Sequence, residues 1–107
     1  LLTAKLDDWH VAQIAKTVWM EQDALEYIEA VGDDVPEGKL TSFPMNVKLE
    51  KGEFVVFSWI RYTSREERDR ILALVMADPR LQDHLSPESM PFDGKRMIFG
   101  GFKILVS

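Results

Sequence analysis

Four groups of residues in this chain have side chains suited to chemistry. Trp59 and Arg61 stand two apart in the run Glu53 to Tyr62, EFVVFSWIRY, so in a strand they share a face. An indole and a guanidinium on one face can line a binding cavity, and Tyr27 joins them if the strand register allows. Asp93, Lys95 and Arg96 surround Gly94, where they can form an anion site or a charged lip over a cavity. A turn into a strand accounts for Pro91, Asp93 and Gly94 by backbone need alone, with Asp93 pairing Arg96, and this reading is favoured. Asp33 and Asp34 are adjacent carboxylates after a glycine. They are a metal or acid–base pair, or, as favoured here, a turn whose Asp side chains bond nearby backbone N–H groups. His10 and His84 are the only histidines, and they lack ligand spacing. The ligand-binding candidates are therefore Trp59, Arg61, Tyr27, Asp93 and Arg96. No catalytic residue is assigned, no metal site is expected, and no cofactor is expected.

Bulk properties narrow the choice. The chain has 107 residues, 46% hydrophobic and 29% charged, and it reads as one domain. Its net charge of −5 argues against nucleic-acid binding and against anionic membranes, both of which need clustered cations. Cysteine is absent, which excludes disulfides, thiolate metal sites and a Cys nucleophile. No apolar run approaches the roughly 20 residues that span a bilayer. No signal peptide is visible, and a cytoplasmic location is expected. Gly100-Gly101 lacks phosphate-loop spacing and reads as a bulge or a close backbone approach.

The elements that would position these residues follow from periodicity. Leu1 to Lys5 reads as a strand cut short at its start. Asp7 or Asp8 caps a helix reaching about Gln22, with Val11, Ile14, Ala15, Val18 and Trp19 as its apolar stripe. Ala24 to Val31 is a second strand with a wetter edge, because Glu26 and Glu29 interrupt it. Lys39 to Glu50 holds a short helical turn or an irregular loop. Glu53 to Tyr62 is the third strand. Ser64 with Glu67 is a capping box opening a second helix, which Asp78-Pro79 stops. One more helical turn falls near Leu81, and Arg96 to Val106 is the last strand. The order β-α-β-β-α-β is ferredoxin-like: a four-stranded antiparallel sheet with two helices on one face.

The third strand is apolar in both alternating sets: Phe54, Val56, Ile60 and Tyr62 in one, Val55, Phe57 and Trp59 in the other. The last strand repeats the pattern. A sheet with one wet face would not. Helices cover one face, and a second subunit is expected on the other, making a homodimer. Arg61 is costly on a helix-covered face unless paired, so the set Val55, Phe57, Trp59 and Arg61 is assigned to the partner side.

Four segments carry a resemblance: Met90 to Phe102 (MPFDGKRMIFGGF), Val31 to Asp34 (VGDD), Val55 to Trp59 (VVFSW) and Met76 to Arg80 (MADPR). Together they resemble the small bacterial YbaA-like family of unknown function, over nearly the whole chain. The resemblance implies a ferredoxin-like protomer paired sheet to sheet as a dimeric α/β barrel, and no established substrate. The expected function is a small dimeric domain, with a small-molecule ligand in a cavity between sheet and helices or between subunits. The alternatives are a cofactor-free enzyme of the monooxygenase-like barrel type and a protein-interaction adaptor.

Overall fold

The computed structural model describes residues 2–4, 9–83 and 94–107. It is an α+β protein with the order β1 (Leu2–Ala4), α1 (Trp9–Glu21), β2 (Glu26–Val31), α2 (Phe43–Asn46), β3 (Phe54–Arg61), α3 (Arg65–Met76) and α4 (Pro79–Gln82), followed by a 3-10 turn at Gly94–Arg96. The described sheet has three antiparallel strands in the order β1-β3-β2.

Local chemistry sets the helix ends. α1 stops at Glu21, and Asp23 turns the chain with a left-handed φ of 74°. Asp tolerates that region better than most residues. The Ser64 hydroxyl accepts the Glu67 backbone N–H at 3.1 Å, so α3 starts where its capping pair predicts. Ser64→Ala should cost about 1 kcal/mol, because that N–H loses its acceptor. Chemical denaturation reads the change as a lower midpoint. α3 ends before Pro79, and Asp78 caps the α4 turn by accepting the Arg80 N–H at 2.9 Å. The ambiguous Lys39–Glu50 stretch holds α2, capped by Ser42.

α1 and α3 cover one face of the sheet. Ala15, Val18 and Trp19 from α1 meet Ile71 and Val75 from α3 in a core that Ala24 and Leu81 complete. Ile60, Tyr62 and Tyr27 pack against it from the sheet. Ile71 and Val75 are fully buried, and each contributes roughly 1.5–3 kcal/mol by leaving water. Trp19 is buried, whereas Trp9, the first residue of α1, is exposed.

The expected last strand needs correction. Residues 97–107 form no strand, and the expected fourth strand is not part of the described sheet. A strand exists only through a ladder partner. β1 offers an edge of three residues, too short to hold an eleven-residue neighbour in register. The segment leaves Phe99, Phe102, Leu105 and Val106 almost wholly exposed. Gly101 lies against α3, where an added Cβ would stand 2.5 Å from the Arg68 guanidinium. That is the close approach its lack of a side chain permits.

Candidate functional site

The alternation of β3 now has two distinct surroundings. Its Ile60 side faces the helices, and its other side carries Phe57, Trp59 and Arg61. Among the described residues no helix lies over the upper part of this second face. Phe57 is 45% exposed and Trp59 42%. Register adds Ile28 opposite Trp59 and Glu26 opposite Arg61. At the lower end α2 folds over the sheet, and Phe43 meets Phe57 edge to face at 6.3 Å. Phe57 in turn meets Trp59 at 5.8 Å. The result is a continuous aromatic track on an open face, of the kind that marks an interaction surface.

Polar groups close the upper end of the track. The Trp59 indole Nε1 donates to Glu26 Oε1 at 2.6 Å, and Arg61 Nε lies 3.7 Å from Glu26 Oε2. Glu26 supplies the carboxylate that Arg61 needed on this face. The lower end opens into a shallow cleft of about 280 Å³ between Phe43, Phe57, Val35 and the Gly32-Asp33-Asp34 turn. Asp33 and Asp34 are exposed there.

The other candidates lie elsewhere. Tyr27 pairs with Ile60, so it points to the face opposite Trp59 and Arg61 and does not join them. It packs on Trp19 with ring centres 5.4 Å apart. Burial pushes its hydroxyl above the usual phenol range, and the neighbouring Glu29 carboxylate adds to the rise. Arg96 makes a two-pronged ion pair with Glu53, at 2.6 and 2.7 Å, and donates to the Lys48 carbonyl. It is a clamp between the 3-10 turn and the start of β3. Asp93 and His84 lie outside the described residues. His10 is exposed at the start of α1.

Two residues of interest were read in the sequence only as interruptions of β2. Glu26 anchors the open-face cluster. Glu29 sits on the helix-covered face beside Ser58, whose hydroxyl donates to Glu29 Oε1 at 3.4 Å. The signal was present, because residues three apart in a strand point to opposite faces.

Residues 3–94 match the family described as "Protein of unknown function (DUF1428)". The chain belongs to this family. It is 49% identical over 96 residues to the "Uncharacterized protein YbaA" of Escherichia coli strain K12, covering 90% of this chain and 80% of that protein. The YbaA of Shigella flexneri matches to the same extent. The DUF1428 match spans β1 to α4, and so it includes both the aromatic track and Glu26. No described helix is long and apolar enough to cross a membrane.

Proposed function

We propose that this chain acts as a cytoplasmic homodimer, its two open sheet faces packed together as a dimeric α/β barrel around a small apolar ligand. The observation that carries the reading is the uncovered track of Ile28, Phe43, Phe57 and Trp59, closed at one end by Glu26 and Arg61. A second copy presents the same track, and a two-fold pair of such faces is self-complementary. Arg61 remains partnered on burial, because Glu26 travels with it.

The sheet order β1-β3-β2 leaves the outer edge of β1 open, and the Gly94–Arg96 turn delivers the chain beside it. The segment that follows holds Phe99, Phe102, Leu105 and Val106 almost wholly exposed, apolar surface that a second copy can cover. The polar cluster lies on an open surface rather than in a closed pocket, which favours binding over catalysis.

A stable pair of this kind buries on the order of 1,600 Å² in total. Light scattering at micromolar concentration should report twice the chain mass. Native mass spectrometry of protein purified from cells should show the same dimer and any retained molecule. A monomer in both measurements would sink the proposal.

A further inference from the structure

Two segments of the chain are left without a ladder. β2 is an outer strand of the described sheet, so the outer side of Glu26–Val31 has no strand beside it among the described residues. Residues 97–107 form an arm that joins no strand, and Phe102 on it is 96% exposed. An open edge pairs readily with an extended segment. The arm does not reach the β2 edge of its own chain. It starts at the Gly94–Arg96 turn beside β1, and both β1 and β3 stand between it and β2.

Charge selects the occupant of the edge. From Asp23 to Gly38 the chain holds Asp23, Glu26, Glu29, Asp33, Asp34 and Glu37, and no Lys or Arg. Arg61 offsets Glu26, but the turn carboxylates Asp33 and Asp34 have no ion-pair partner among the described residues. Two such edges repel, so β2 of one copy is a poor partner for β2 of another. From Gly94 to Ser107 the chain holds Lys95, Arg96 and Lys103, and no acid. Arg96 is engaged by Glu53, whereas Lys103 is exposed and has no ion-pair partner among the described residues.

We propose that the arm of one copy adds as a strand to the outer edge of β2 in the second copy. The exchange rests on the sheet-to-sheet dimer proposed for the open faces. A two-fold axis along the strands sets β1 of one copy over β2 of the other, and the two exchanges are then equivalent. Packed sheets lie about 10 Å apart, and the five residues after Gly101 span about 16 Å when extended, enough to cross. Gly100-Gly101 supplies the bend at which the arm leaves one sheet for the other, as glycine does at a barrel corner. The arm's exposed Phe102, Leu105 and Val106 gain cover, and Lys103 arrives beside an acidic strand and turn.

The chain has no cysteine, so single Cys substitutions report single contacts. Differently tagged chains, one with Ile104→Cys and one with Ala30→Cys, should be co-expressed and treated with a short bis-maleimide linker. They should join into a product that carries both tags. Ile104→Cys paired with Lys16→Cys, on α1, sets the background. Successive N–H groups of a strand point to opposite sides, so one of Lys103→Pro and Ile104→Pro must remove a ladder donor. That variant should raise the dimer dissociation constant about tenfold. Both should keep the circular dichroism of the parent, because the arm has no ladder in the lone chain. A dimer whose cross-linking stays at background, or whose affinity neither proline changes, would overturn the exchange and leave the sheet-to-sheet dimer standing. A monomeric parent chain would remove both.

Discussion

Phe57→Glu is expected to yield a folded monomer, whereas Ile60→Glu is expected to yield no folded protein. The two residues are three apart in β3 and differ only in the face they present. Phe57 stands half-exposed between Phe43 and Trp59, so a carboxylate there meets water in the lone chain. Against a second copy the same carboxylate is desolvated beside its own symmetry mate. The association should weaken by several kcal/mol, enough to lose the dimer at micromolar concentration. Ile60 is partly buried against the core cluster that includes Trp19, Ile71 and Val75, and a charge there faces apolar side chains. Circular dichroism and sizing of the two variants decide the matter. A folded dimer of Phe57→Glu would remove this face from the interface.

Arg96→Met should cost about 3 kcal/mol, because it takes the guanidinium from Glu53, a carboxylate in a largely buried position that still accepts the Glu50 N–H at 2.9 Å. The partner side chains are only 15% and 13% exposed, so solvent screens the pair weakly. In a domain of this size, whose total stability is about 5–15 kcal/mol, the loss is a large fraction. The denaturation midpoint should fall accordingly, and Arg96→Lys should recover part of it with one prong of the pair. A midpoint unchanged in Arg96→Met would return Arg96 to the list of ligand candidates.

These residues also show where sequence reasoning reaches and where it stops. The face of Arg61 was legible, because an unpaired guanidinium under helices is prohibitively costly and alternation fixes every neighbour once one residue is placed. The start of α3 was legible because the capping pair Ser64 and Glu67 acts within one turn. The face of Tyr27 was not. It depends on how β2 meets β3 across a connection that runs from Val31 to Phe54, and alternation within one strand carries no information about that register. Arg96 reads as a turn cation in sequence, since its true partner, Glu53, is 43 residues away. The last strand was misread for a related reason. Its alternation is real, but a ladder is a property of two segments, and only three residues of β1 offer an edge.

The central place of β3 also orders the making of the protein. Both outer strands bond to β3, and in the described sheet they do not bond to one another. During synthesis Leu2 has no strand to join until Val56 has emerged, and β2 waits likewise for the same eight residues. The nascent chain therefore carries two idle strands until β3 has been made. The β2–β3 pairing closes the shorter loop and has the lower entropic cost, so it should form first and leave β1 to add last. A ribosome pause just before Phe54 would hold the chain with none of the described sheet formed. A pause after Tyr62 has left the exit tunnel would let β2 pair with β3 and β1 then add.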